Sequence, residues 1–331
     1  MNHRYSFILF LFVVSLLTFT SCNDEWKEEQ YKHLISFKAP LNYAGTNRIY
    51  VRYKPHGKVT YKLPLIVSGS TPNPATLNVN VALDLDTLAR MNQERFSIRK
   101  DLYYKLLPEK YYDFPSTVTI PSGEHIGYLD IDFTLSDLDM VDKWILPITV
   151  TLGSGYAPNM RKHYRKALLR IFPFNDYSGT YSATAMKTYF YDEASQQEMG
   201  DPLVENERQA FVVNENTVFF YAGLMGEELI RREKYKILVT FNEDKSLTLS
   251  AADPDIRFEV PEGATPIWSQ TSRMDEVIPY IEHRYTSLRL TYFFDDVTSA
   301  SVPIRYKVTG TLLMERRINT QIPDEDQSIQ W

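Results

Sequence analysis

The chain has 331 residues, of which 44% are apolar and 14% aromatic, and its formal net charge at pH 7 is −6. That length suits two domains, each large enough to bury a core of its own. An acidic chain repels phosphate backbones, so nucleic acid is not an expected partner, and the single cysteine, Cys22, excludes an intrachain disulfide.

The chain opens with Arg4, then the apolar run Phe7 to Phe19, then Thr20-Ser21-Cys22. A charged start, an apolar core and small residues before a cut read as a secretory signal over residues 1–21. The core is shorter than the roughly 20 apolar residues that span a bilayer. Cys22 stands where a lipobox has its cysteine, so it is the expected lipidation site. Several acyl chains there would give lasting attachment, at about 0.8 kcal/mol per buried CH₂. No other run is long enough to span, so the membrane would be reached by the lipid anchor only. Residues 22–33 are charged and unpatterned and read as a tether.

From 34 to 173 the pattern is β. Leu77, Val79, Val81 and Leu83 alternate with polar residues, as do Leu129, Ile131, Phe133 and Leu135. Pro64 in Val59–Val67 hints at an edge or bulge. Asp86 to Phe96 reads as one short helix with Asp86 as its N-cap. Seven or eight short strands with regular turns argue for an immunoglobulin-like sandwich. Pro173 to Asp176 is the boundary, and 174–331 forms a second antiparallel domain, a barrel or another sandwich. Its clearest strands are Leu288–Phe294 and Val302–Val308. Glu227–Lys236 suits either a short helix or a strand. Ala251 to Ser287 reads as a long connection, and Asn319 to Trp331 as an extended surface tail. The fold class is therefore all-β.

Val118–Gly123 (VTIPSG), Ile131-Asp132-Phe133 and Lys143–Thr149 (KWILPIT) resemble an Ig-like domain of unknown function. That domain occurs at the front of Bacteroidota lipoproteins and of some family-18 endo-β-N-acetylglucosaminidases. Gly310–Arg316 (GTLLMER) and Asn319–Asp326 (NTQIPDED) are similar to the companion domain that ends the non-enzymatic members. The acidic pair Asp24-Glu25 resembles the surface-export signal of the same lipoproteins. The resemblance implies an outer-membrane lipoprotein facing the cell exterior in a glycan-utilisation system. Its partners would be an oligosaccharide or glycan and a TonB-type importer. An adhesion or structural subunit binding a protein is the competing class.

Catalytic chemistry is not expected. Asp130-Ile131-Asp132 matches only the middle of the family-18 motif, whose acid position is Thr134 here, leaving no proton donor. Asp137, Asp139 and Asp142 lack the glycine and glutamate of a calcium loop, and no histidine spacing suits zinc, so neither a metal nor a cofactor is expected. Aromatic rings remain, since sugar C–H faces stack on them while hydroxyls pair with polar side chains. Trp268, with Gln270, Arg273, Tyr280 and Tyr285, is the candidate platform. The alternative is a Trp that pins its loop to its own domain. Tyr103-Tyr104 and Tyr111-Tyr112 form a second candidate, each pair expected to place one ring inward.

Overall fold

A computed structural model describes residues 29–39, 45–299 and 302–331. The expected leader, the expected lipidation site Cys22 and the start of the expected tether lie outside the described residues.

The first half holds β1 (Leu34–Phe37), β2 (Asn47–Arg52), β3 (Val59–Val67), β4 (Leu77–Leu83), β5 (Lys105–Leu106), β6 (Tyr112–Asp113), β7 (Thr117–Ile120), β8 (Ile126–Phe133), β9 (Trp144–Val150), β10 (Ala157–Pro158) and β11 (Lys166–Phe174). They form two sheets, β10-β1-β3-β8-β6 and β2-β11-β9-β4-β7, with β5 added to β9. Alternation decides which side chains meet between them. Leu63, Leu65, Leu129 and Ile131 from one sheet face Val79, Ile148, Leu169 and Ile171 from the other, all fully buried. Helix α1 (Leu85–Phe96) lays Leu88 and Phe96 on the outer side of the second sheet, against Ile145 and Leu168. Its cap is Asp84 rather than the expected Asp86. Asp84 accepts from the Thr87 amide at 3.2 Å, while Asp86 sits in the first turn, where its charge suits the helix dipole.

The second half holds β12 (Gly179–Asp192), β13 (Gln197–Leu203), β14 (Glu207–Val212), β15 (Thr217–Tyr221), β16 (Lys236–Phe241), β17 (Leu247–Ala251), β18 (Ile267–Met274), β19 (Ile281–Asp296), β20 (Ile304–Asn319) and β21 (Ile329–Gln330). Eight of these follow the order β17-β16-β15-β14-β12-β20-β19-β18 and curl until the edges meet. Leu247 N–H donates to Pro266 at 2.9 Å and Trp268 N–H to Lys245 at 3.0 Å, which closes a barrel. Its interior is filled by Tyr181, Val218, Ile237, Leu288, Tyr292 and their neighbours.

Other expectations change as well, among them Pro64, whose strand β3 lies between β1 and β8 and not at an edge. The long connection Ala251–Ser287 contains β18, which sequence pattern misses because Ser269 to Met274 are exposed and carry no alternation. The tail does not lie extended: β21 pairs with β20 and brings Trp331 against the first half. Glu227–Lys236 is a turn ending in a single 3₁₀ turn, Arg232–Tyr235.

The halves share one core. β15 is buried on both faces: Val218 and Phe220 point into the barrel, while Phe219 packs with Phe211, which in turn stacks on Phe172 of β11. Above this contact Lys143 meets Glu228 at 2.7 Å, Arg170 meets Glu227 at 2.8 Å, and Arg232 donates to the Val141 carbonyl at 3.0 Å.

A candidate ligand groove where the halves meet

The returning C-terminal segment builds one wall of a groove. Asp324 opens it by accepting from the amides of Asp326 and Gln327, and β21 then holds it to β20. Trp331 thereby lands flat on Tyr50 of β2, centroids 3.9 Å apart and planes 5° from parallel. Phe174 meets the same indole edge-on at 4.7 Å. Arg52 fastens the arrangement. Its Nε donates to Asp326 at 2.6 Å and its Nη1 to Asp176 at 2.7 Å, tying the segment to the turn between the halves. These are charge-assisted bonds, the stronger kind.

The opposite wall is the start of β3 with β8 beside it, and it brings Lys58, Tyr61, Lys62 and Tyr128. The volume of this open groove is about 920 Å³, within the range of small-ligand sites. Trp331 is 49% and Tyr128 55% exposed, so apolar ring surface is open to a ligand. Burial pushes the Tyr61 hydroxyl above its usual range, keeping it a neutral donor. Lys58 and Thr60 hydrogen-bond Asp132 and hold it ionised, and Asp326 is committed to Arg52. Asp132 is therefore not a proton donor. Among the described residues no group of three His, Cys, Asp or Glu could hold a metal ion. The chemistry on offer is ring stacking with flanking charged and hydroxyl partners.

The residues expected from sequence are placed differently. Trp268 is 7% exposed and closes one end of the barrel against Tyr177 and Phe241. Its indole N–H donates to Asn242 at 3.1 Å, and the Lys245 ammonium covers its face at 3.6 Å. Register puts Trp268 and Gln270 on one face of β18, opposite Leu288 and Thr286, whereas Tyr285 and Arg273 share the other face. Arg273 donates to the Tyr285 hydroxyl at 3.3 Å. Tyr280 lies in the turn between β18 and β19, its carbonyl accepting from Thr320. The five therefore do not form one surface. Tyr104 and Tyr111 are buried, while Tyr103 and Tyr112 are only partly covered. Tyr128 could have been found in the sequence, on the outward face with Asp130 and Asp132. Trp331 could not, because its neighbours come from the far end of the chain.

The family model for a domain of unknown function, DUF4973, matches residues 26–154, and a model for a C-terminal domain matches 165–313. Among solved structures, a Bacteroides ovatus protein of unknown function is 45% identical, over 90% of this chain and 100% of its own, with a TM-score of 0.81. The chain belongs to the same family as this two-domain protein, with a DUF4973 domain over residues 26–154. A second family structure, a multidomain protein including DUF1735 from Bacteroides ovatus, is 44% identical over 91% of this chain and 100% of its own, with a TM-score of 0.80. A third, an auxiliary nutrient binding protein from Bacteroides thetaiotaomicron, is 38% identical over 91% of this chain and 100% of its own, with a TM-score of 0.82. No curated protein matches the chain. In this DUF4973-containing protein Tyr50, Tyr61 and Tyr128 fall within the first matched segment, while Asp326 and Trp331 lie beyond the second.

Proposed function

We propose that this protein is a non-catalytic, glycan-binding accessory lipoprotein of a glycan-utilisation system. Acylated Cys22 would hold it at the outer face of the outer membrane. There the junction groove would keep oligosaccharide close to a TonB-type importer, anchoring having raised the local concentration. The observation that carries this reading is the open aromatic surface of Trp331 and Tyr128 in a 920 Å³ groove lined by charged side chains. The 38%-identical nutrient-binding relative supports it.

Affinity electrophoresis on a panel of host and plant glycans tests the site. The wild type should be retarded by at least one glycan, with retardation lost in Trp331→Ala and in Tyr128→Ala and kept in Trp268→Ala. Retardation by none, or loss only in Trp268→Ala, would remove the groove from consideration. Capture of a protein partner without sugar would favour the adhesion class. Metabolic labelling with palmitate, abolished by Cys22→Ser, tests the anchor.

A further inference from the structure

Glu29, the first described residue of the expected tether, is held by the first domain. One carboxylate oxygen accepts from the amides of Tyr31 and Ser70, each at 2.8 Å, and from the Ser70 hydroxyl at 3.0 Å. The other accepts from the Thr71 amide at 2.9 Å and hydroxyl at 2.6 Å, and lies 2.8 Å from His33 Nε2. Two further bonds close the seam: Gln30 N–H to Ser70 at 2.8 Å, and Ser68 hydroxyl to the Lys32 carbonyl at 3.0 Å. Only Asn23 to Glu28 separate this clamp from Cys22. A stretch of that length reaches at most about 25 Å.

The clamp sits at one end of β3, just past Val67, and the groove occupies the other part of the strand, from Lys58 to Lys62 and on to Tyr128 opposite Pro64. Its far edge at Val59 is about 27 Å from Val67 along the strand, and its near edge at Tyr128 about 10 Å. The segment 151–165 gathers at the clamp's end, since Ala157 pairs with Leu34 and the Asn159 amide bonds Ile35. It exposes Leu152 (80%), Met160 (66%) and Tyr164 (43%). Arg161, Lys162 and Arg165 stand beside them, and Lys32 adds a fourth cation to this end against Glu29 and Glu124. Among the described residues of this end four cations thus stand against two carboxylates, although the chain is acidic. Apolar and aromatic side chains among cations suit a headgroup layer.

We infer that the Glu29 clamp makes residues 29–33 part of the first domain, and that the end carrying Ser68–Thr71 and Met160–Arg165 rests on the lipid surface, with the groove turned away from it. The inference rests on the proposed acylation of Cys22 for its place in the cell. Its test does not, because the lone thiol lets the same tether be made chemically. The mature chain is coupled through Cys22 to maleimide-headgroup lipid in vesicles of equal phosphatidylcholine and phosphatidylglycerol, and hydrogen exchange is compared with the uncoupled chain. Exchange should slow several-fold in 121–126 and 151–165 and stay unchanged in 50–62. Glu29→Gln should weaken that protection and speed exchange of the Ser70 and Thr71 amides in the uncoupled chain. Arg161→Glu with Lys162→Glu, a surface pair that leaves the clamp intact, should abolish protection of 151–165. Protection over 50–62, or a footprint indifferent to both variants, overturns the inference. Failure of palmitate labelling in cells, with the vesicle footprint intact, would instead overturn the anchoring reading.

Discussion

Tyr50 and Trp331 are 281 positions apart in the chain and stack at 3.9 Å with their planes 5° from parallel. This contact joins the second strand of the first domain to the segment that leaves the barrel. Removing the indole in Trp331→Ala strips the Tyr50 stack, the Phe174 edge contact and the Arg316 guanidinium, which lies 5.4 Å from the ring. Since the side chain is half exposed, the loss of stability should be modest, about 1–2 kcal/mol by urea unfolding. Loss of glycan retardation with a stability change of that size would mark a site effect. A change too small to measure would show that the ring does not help to hold the segment.

Gly310 supplies a sharper test of the barrel. Its φ of +137° is open to glycine and closed to other residues, and an added Cβ would come within 2.1 Å of the Ala185 carbonyl oxygen. It lies opposite Met186, beside the register shift between Ser182 and Ala185 where β12 bends around the barrel. Gly310→Ala must move backbone, since no flexible side chain can yield. The expected cost is roughly 3 kcal/mol, read as a lowered unfolding midpoint. An unchanged midpoint would mean that the strands do not approach this closely.

The sheets were legible in the sequence wherever one face of a strand is buried and the other wet. β4 and β8 show this most clearly, with Val79 and Ile131 fully inside and Asn78 and Asp130 outside. β18 was not legible, because beyond Trp268 both of its faces meet solvent and nothing selects a period. β15 hides a different fact: Thr217–Tyr221 is buried on both faces, which signals a partner but does not say that the partner is the first domain. The candidate platform drew on Trp268 and Tyr285 because they are near in sequence, yet a period of two sends them to opposite sides of the sheet. The groove depends on Trp331 meeting Tyr50, a tertiary fact with no local signature.

The junction between the halves holds an asymmetric ion pair. Lys143 keeps 3% of its side-chain exposure and Glu228 keeps 65%. Burial pulls the ammonium's pKa down against the opposing effect of the hydrogen bond it donates to Glu228. The two truncations should therefore differ. Glu228→Ala leaves a buried cation short of its partner and should cost about 1–2 kcal/mol, while Lys143→Met leaves a carboxylate that water can solvate and should stay within about 1 kcal/mol of wild type. Unfolding of both variants checks the order. If Lys143→Met proves the worse of the two, the cation contributes more than burial takes away.

His283 offers a dependence on pH. Its ring nitrogens meet Glu315 and Asp275, the latter at 2.8 Å, and Arg273 and Arg317 flank it in register on the neighbouring strands. The hydrogen bond to Glu315, then that to Asp275, raises the imidazole above its usual 6.5. Asp275 is held at about 2, first by the Ile278 amide and then by His283. A raised imidazole contributes stability that is complete below pH 6.5 and lost as pH climbs through the folded value. A depressed carboxyl contributes above pH 3.8 and is lost as pH falls toward 2. The cluster therefore stabilises the β18–β19 turn most between those limits. In His283→Gln the fall in unfolding midpoint as pH climbs above 6.5 should be reduced. Identical slopes in wild type and variant would show that the charged imidazole gains nothing from its two carboxylates.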